Sequence, residues 1–531
     1  MNISGYIDKI KINLFNLKYS IIKNHTQLTF FSINKYREII NLSNRQYIKL
    51  NNYFFLKENV KIKKKLDNDL LSIIIVFYSK TSKYFKYTVS GINYNRLVSN
   101  NSFNFFKINT KNKKKIKIDN KNKGDVLKIF YVKKRTKKKL VLIILFDGLS
   151  KNLTKRLTNS NKFFGSNNTL NNFWSNAPWT LPTFGNLSTG LRTSNHLCFK
   201  PQTYYSSFKK NKSLEEINSK ITMFEYFKSA GFVTGCYSPY ARINQTYRFD
   251  RGVDIFKHCY NQDTSQIADD LIAQMEMFNN DSNFMFAHLF DIHHNQKGYN
   301  NLQDYINFDD KDYDYQKYIE KDKSRHHKFH SLKNFYEEKL LYSDLKSCDL
   351  KLNHLYNYLS KRKFDDFTII LMGDHGTKFQ NVNKTSNSLY KYHQNIGFMI
   401  KDKKFLNFKK KINKLIETID VFPSLLNRYG KLNKNKFKLD GSNTLFSDYE
   451  KKYVLSENIY EDNYNSLIFD KKNYLYSSYK LDDKIITKKL SHEIYDLNEN
   501  QLDINKVANK SKLLDIEKKH MKINKLKKNY E

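Results

Sequence analysis

Two apolar runs, each ending in an acidic residue, constrain this chain more than any other feature. The first is Leu140-Val-Leu-Ile-Ile-Leu-Phe, followed by Asp147-Gly148. The second is Phe367-Thr-Ile-Ile-Leu-Met-Gly, followed by Asp374-His375-Gly376. Each is long enough for one strand, and a continuous apolar run is the pattern of a strand buried on both faces of a parallel sheet. Ligands of such sheets bind beyond the carboxyl ends of the strands. Asp147, Asp374 and His375 are therefore expected to converge at one sheet edge. Two carboxylates and an imidazole there point to a divalent metal ion, with zinc or manganese favoured over calcium or magnesium because a nitrogen donor joins few oxygens. Thr180, in Asn176-Ala-Pro-Trp-Thr180-Leu-Pro182-Thr183, offers a hydroxyl that such an ion could activate. The plainer alternatives are helix caps for Asp147, Asp374 and Thr180, and a structural role for His375.

The chain has 531 residues, enough for more than one domain, and its 40% hydrophobic and 15% aromatic content is that of a globular protein. A net charge of +41 resembles a nucleic-acid or membrane signal. Nearly all of it is lysine, however, and it accompanies abundant Asn, Ile, Tyr and Phe with only 16 Gly and 5 Pro, the bias that an AT-rich genome writes into any protein. No specific nucleic-acid partner is expected; the excess is solvated surface, with some attraction for anionic substrates. Cys198, Cys236, Cys259 and Cys348 have neither metal-ligand nor redox spacing, which fits a reducing compartment. The opening MNISGYIDKIKINLF lacks the apolar centre of a secretory signal. No run approaches the roughly 18–20 apolar residues that span a bilayer, so no membrane span and a cytoplasmic location are expected. Nothing in the sequence fixes an oligomeric state.

Along the chain, residues 1–45 read as a short helical or irregular lead-in. Leu70–Tyr78, Tyr84–Val89, Phe103–Ile108 and Val126–Val132 read as short strands of a β-rich module covering 1–138, which ends in the basic linker Lys133–Lys139. An α/β domain is expected over 139–445. Within it, Thr222–Ala230 has helical spacing and stops at Gly231, and Phe284–Leu289 is another buried strand. Residues 295–331 are a long polar loop, with Arg325-His-His-Lys-Phe-His330 solvated inside it. Leu341, Leu345, Cys348, Leu352, Leu355 and Leu359 form one helical stripe leading into the strand before Asp374. Residues 446–531 read as a small C-terminal sheet, with hairpin-like strands over Tyr453–Tyr479, and a Lys-rich tail that is a peripheral helix or a frayed end.

From 139 to about 500 the chain resembles the sulfatase family of the alkaline phosphatase superfamily. The resemblance rests on segments in the family's order: Leu145-Phe-Asp147-Gly148; Trp179-Thr180-Leu-Pro182-Thr183 with Leu187-Ser-Thr-Gly190; Thr222 to Thr234; Phe249-Asp-Arg-Gly252-Val-Asp254; Asp291-Ile-His293; Asp374-His375-Gly376; Thr418-Ile-Asp420-Val-Phe-Pro423; Leu439-Asp440-Gly441-Ser442; and Glu493-Ile-Tyr-Asp496. It implies an alkaline-phosphatase-like mixed sheet sandwiched by helices, with Asp147, Thr180, Asp374 and His375 around a metal. It also implies that His293 acts on the transferred group's oxygens or the leaving group, and that Lys384 meets the substrate anion. His393, before another strand-like run, is read as completing a metal site or binding substrate. His288 and His294 are alternatives to His293, and His288 equally suits a core.

The departures are informative. Sulfatases oxidise a Cys or Ser to formylglycine where this chain has Thr180, and a secondary alcohol would give a ketone instead of the reactive aldehyde. The family's Arg is replaced by Phe184, and its Asp-Asp pair is Asp147-Gly148. Thr180 resembles instead the phosphotransferring branches, lipoteichoic acid synthases and phosphoethanolamine transferases, although those carry membrane helices where this chain has a β-rich module. The expected activity is metal-dependent hydrolysis or transfer of phosphate or sulfate esters of small molecules or glycans through an esterified Thr180, phosphate favoured. The alternatives are a sulfate-ester hydrolase using unmodified Thr, or an inactive basic module that binds anionic glycan or nucleic acid.

Overall fold

In the computed structural model, residues between 47 and 528 are described. The longer segments 200–219, 293–334 and 377–388, and short loops between elements, lie outside the described residues, as do 1–46. The run that opens the α/β region forms strand β1 (Lys139–Phe146), followed by β2 (Val233–Ser238), β3 (Ile255–His258), β4 (Asn283–Leu289), β5 (Asp366–Gly373) and β6 (Phe398–Asp402). They make one six-stranded sheet in the order β3-β2-β4-β1-β5-β6. Every pairing is parallel except β5 with β6. The central strand is buried on both faces, and its side chains divide by parity. Val141, Ile143 and Leu145 join one core with Phe184, Phe224 and Phe286. Leu140, Leu142, Ile144 and Phe146 join the other, with Met285 and Leu371.

Helices cover both faces. Helix α1 (Thr180–Thr189) is buried along its whole length. Helix α2 (Met223–Ser229) starts in a Thr222–Glu225 capping box and is followed by Gly231 at φ +85°, the stop read from the sequence. Helix α3 (Thr264–Met277) and helix α4 (Phe335–Lys361) pack on the opposite face. The α4 stripe of Leu341, Leu345, Cys348, Leu352, Leu355 and Leu359 lies entirely in that core. Burying one such leucine contributes about 1.5–3 kcal/mol.

Two antiparallel sheets precede this region. One orders Tyr47–Leu50, Tyr53–Leu56, Val126–Lys133, Leu70–Tyr78 and Phe103–Asn109; the other orders Val60–Lys65, Lys115–Asn120, Tyr84–Val89 and Ile92–Leu97. Phe85 stacks on Phe106 across them, with centroids 5.1 Å apart. Neither sheet contributes a strand to the central one. Ile74 nevertheless packs into the same core as Leu140 and Leu142.

A six-stranded C-terminal sheet is built on Val454–Tyr460, Asn463–Phe469, Tyr474–Asp482 and Ile485–Tyr495. Helix α5 (Lys510–Ile523) docks on it through Leu513 and Ile516, so the Lys-rich tail has a buried face. Buried ionic groups fasten this sheet to the main domain. Glu417 takes the Arg192 guanidinium at 3.1 and 3.2 Å, the Lys451 ammonium, and the Leu455 N–H at 2.8 Å. Glu457 accepts from Ser194 N and Oγ at 3.1 and 2.8 Å, and lies 2.8 Å from His520 Nε2 on α5. Burial alone would raise the Glu457 pKa, but His520, Arg192 and the Ser194 hydrogen bonds outweigh it and hold it at about 2, against 4.5 for a free glutamate. Between those two values the unfolded chain binds a proton that the fold refuses. This contribution is therefore complete above pH 4.5 and lost as pH falls toward 2. Glu457→Gln should lower the urea midpoint at pH 7 and remove about one proton's worth of its slope between pH 4.5 and 2; an unchanged pH profile would show the pair to be energetically idle.

No helix among the described residues is long and apolar enough to cross a membrane.

Candidate active site

β1 lies between β4 and β5 in parallel register, with Phe146 opposite both Leu289 and Gly373. The residues that follow these strands must therefore emerge side by side. The Asp147 N–H bonds to Leu289 O at 3.0 Å, and the Asp374 N–H to Phe146 O at 3.2 Å. The chain leaves the sheet to opposite sides here, toward β2 on one and β6 on the other, which is the switch point where α/β sheets open a crevice.

Gly148 turns the backbone at φ +76°, a conformation that disfavours the family's second aspartate. Its N–H donates to Asp374 Oδ1 at 2.8 Å, and the His375 N–H donates to the same oxygen at 2.7 Å. Ser175 Oγ holds the Asp374 carbonyl at 2.6 Å. The Asp374 carboxylate is thus pinned by one oxygen, while Oδ2 accepts no hydrogen bond and faces His375 Nε2 at 3.3 Å. His375 Nε2 is also 3.6 Å from Asp147 Oδ1. His375 Nδ1 is 2.9 Å from Gly376 O, and a carbonyl only accepts, so the proton of the neutral ring sits on Nδ1 and the Nε2 lone pair faces the two carboxylates.

One donor atom from each of Asp147, Asp374 and His375 lies within 4.8 Å of the others. Both aspartates are fully buried. Burial, then the Asp147 charge, raises the Asp374 pKa. Burial lowers that of His375, but Asp374 and Asp147 more than reverse it. Two buried carboxylates and a ring lone pair converging on one point form an arrangement that needs positive charge. The donor set fits a divalent cation, and among the described residues these three are the ones able to hold it.

Thr180 is the first residue of α1. Its predecessor Trp179, extended at φ −157°, is the cap, so Thr180 is not the helix cap. Thr180 Oγ1 donates instead to Asp147 Oδ2 at 3.2 Å. The helix start brings the Thr180 and Leu181 N–H groups, which have no acceptor within the helix, and the positive end of its dipole to the same place, a setting suited to an anion.

The sequence reading thus brought Asp147, Thr180, Asp374 and His375 to one point. His293, Lys384 and His393 lie outside the described residues, as do the 295–331 loop and the Arg325–His330 cluster. Asp291, adjacent in the motif, accepts the Thr264 N–H at 3.0 Å at the start of α3 and lies 3.6 Å from Lys351 Nζ. Phe184, in place of the family's arginine, packs 4.5 Å from Phe249 and 4.8 Å from Phe286 in the core. His288 is fully buried, as the core reading expects, and its Nε2 stands 3.3 Å from Asp147 Oδ2. The sequence signal for this second contact is its place near the carboxyl end of a buried strand.

The sulfatase family model matches residues 139–431. No curated protein sequence matches the chain. Among solved structures, BT4656, in complex with its substrate D-glucosamine-2-N,6-O-disulfate, superimposes with a TM-score of 0.53 at 12% identity, covering 74% of this chain and 98% of its own. Ps i-CgsB, in complex with k-i-k-neocarrahexaose, gives 0.53 at 13% identity over 73% and 93%. A sulfatase-like protein from Bacteroides thetaiotaomicron VPI-5482 gives 0.52 at 14% over 74% and 93%. Identities this low establish the fold alone, a mixed sheet flanked by helices with a small C-terminal sheet. The family model, in contrast, spans more than half of the 531 residues, and the chain belongs to the sulfatase family.

Proposed function

We propose that this sulfatase-family hydrolase of sulfate or phosphate esters uses Thr180 itself as nucleophile, prefers phosphate esters, and passes through a covalent Thr180 ester. The observation that carries this reading is the Thr180 hydroxyl, 3.2 Å from Asp147 at the start of a buried helix, beside the Asp147–Asp374–His375 group. A bound divalent ion, zinc or manganese by the donor set, would be held by those three residues and would acidify the Thr180 hydroxyl and neutralise the transferred anion. Asp147 Oδ2 orients the hydroxyl and is the first acceptor for its proton. Thr180 Oγ then forms a bond to phosphorus while the bond to the leaving oxygen breaks, and the N–H groups at the start of α1 hold the charge that develops. His293 is the proposed donor of the leaving group's proton and Lys384 a proposed contact to the anion, both on the strength of the family resemblance; His393, from its place before a strand-like run, is proposed to complete the metal site or bind substrate. Water, or an alcohol in a transfer reaction, finally displaces Thr180. The glycan ligands of BT4656 and Ps i-CgsB support an anionic glycan or small-molecule ester as the substrate class.

The test is turnover of an aryl phosphate monoester, an aryl phosphate diester and an aryl sulfate with added zinc or manganese. Phosphate turnover that is lost with Thr180→Ala supports the proposal. Turnover of the sulfate alone, also lost with Thr180→Ala, overturns the phosphate preference and leaves the second reading, a sulfatase with an unmodified threonine.

A further inference from the structure

We infer that His288 and Ser238 form a positioning pair that decides which oxygen of Asp147 faces the cation. The inference rests on the proposed metal role of Asp147, Asp374 and His375. His288 lies on β4 opposite Leu145 of β1, two residues before Asp147, and its side chain is fully buried. Its ring lies beside a stacked pair: the centroid is 5.7 Å from that of Tyr240 and 5.9 Å from that of Phe290, and those two rings stack on each other at 4.7 Å.

Two contacts agree on one tautomer of the ring. The Tyr240 N–H donates to Ser238 Oγ at 3.2 Å, and Ser238 Oγ is 3.3 Å from His288 Nδ1. Accepting from Tyr240 leaves the Ser238 hydrogen available to Nδ1, and the Asp147 carboxylate, which only accepts, favours the ring proton on the nitrogen that faces it. The ring proton is then on Nε2. That nitrogen is buried, has no aligned hydrogen-bond acceptor, and stands 3.3 Å from Asp147 Oδ2. A small rotation of the carboxylate closes this contact. Asp147 Oδ2 would then be occupied by the Thr180 hydroxyl on one side and the His288 N–H on the other. Oδ1, the oxygen 3.6 Å from His375 Nε2, is the one left for the cation.

His288 is not itself one of the three residues whose donor atoms lie mutually within 4.8 Å. Its place is behind a ligand, not on the ion. Partners of this kind set the orientation and basicity of the ligand they touch, and losing one typically weakens metal binding about 10–100-fold.

The experiment titrates zinc into the metal-free full-length chain against a chelating indicator, for wild type, His288→Leu, His288→Gln and Ser238→Ala. The apparent Kd should rise about 10–100-fold in His288→Leu. It should rise less in Ser238→Ala, which frees the tautomer but keeps the ring. His288→Gln keeps an N–H donor at similar reach and should recover part of the loss, which a purely space-filling role would not predict. Should His288→Leu fail to fold, Ser238→Ala and His288→Gln decide. Wild-type zinc binding with unaltered Kd in the folded variants overturns the positioning pair and leaves the metal site standing; a wild type that takes up neither zinc nor manganese overturns both.

Discussion

Replacing Thr180 with alanine should lower turnover by on the order of 10⁴-fold or more, as removal of a nucleophile does in other covalent hydrolases, with little effect on folding. The side chain is small, and its one described hydrogen bond runs to Asp147, not to the helix it begins. Trp179 is the cap, so the substitution leaves the start of α1 as it is. Thr180→Ser should retain measurable activity, because the hydroxyl can still reach Asp147 Oδ2; the lost methyl costs packing and rotamer definition. The decisive measurement is single-turnover kinetics on an aryl phosphate, together with mass spectrometry of the acid-quenched enzyme. A phosphoryl adduct on the Thr180 peptide in wild type, absent from the alanine variant, establishes covalent catalysis. Near-normal turnover in the alanine variant would assign the attack to an activated water and reduce Thr180 to a donor for Asp147.

Much of the site was legible because it depends on strand ends. Leu140–Phe146 and Phe367–Gly373 are apolar at every or nearly every position, so they had to be central strands, and neighbouring parallel strands in register must deliver Asp147 and Asp374 together. The short N-terminal strands could be read because β-branched and aromatic runs were punctuated by Asn, Lys and Gly; Leu70–Tyr78 and Tyr84–Val89 are the observed bounds. His288 was harder. A histidine inside the apolar run Phe284–Leu289 has the same sequence signature whether it fills a core or flanks a carboxylate. Only the register, which places it opposite Leu145, separates the two. The fastening of the C-terminal sheet was not legible either. Arg192, Glu417, Lys451 and Glu457 are far apart in sequence and carry no local motif, yet they are buried together. Their pairing follows from tertiary packing, which spacing does not encode. The tail helix shows a similar limit: its lysines dominate the composition, while Leu513, Ile516 and Met521 supply the buried contact.

Asp374→Asn should separate the charge of the site from its geometry. Asparagine keeps an oxygen for the Gly148 and His375 N–H groups, which meet Asp374 Oδ1 at 2.8 and 2.7 Å, so the turn after β5 should survive. What it removes is the negative charge on Oδ2, which faces His375 and accepts no hydrogen bond. Two opposite consequences follow. Without metal, wild type holds Asp374 fully buried beside Asp147, and both burial and that neighbouring charge raise its pKa, a sign that the ionised carboxylate is uncomfortable there. The metal-free Asn variant should therefore unfold at the same temperature as the metal-free wild type or above it. With metal the order should invert. An ion that binds only the folded state adds about 2.7 kcal/mol when present at a hundredfold excess over its Kd, and the variant should forfeit most of this. Thermal melts with and without chelator, alongside elemental analysis of the protein after dialysis, read both effects. A stoichiometric metal and an intact metal-dependent shift in Tm in Asp374→Asn would place the cation somewhere other than between Asp147, Asp374 and His375.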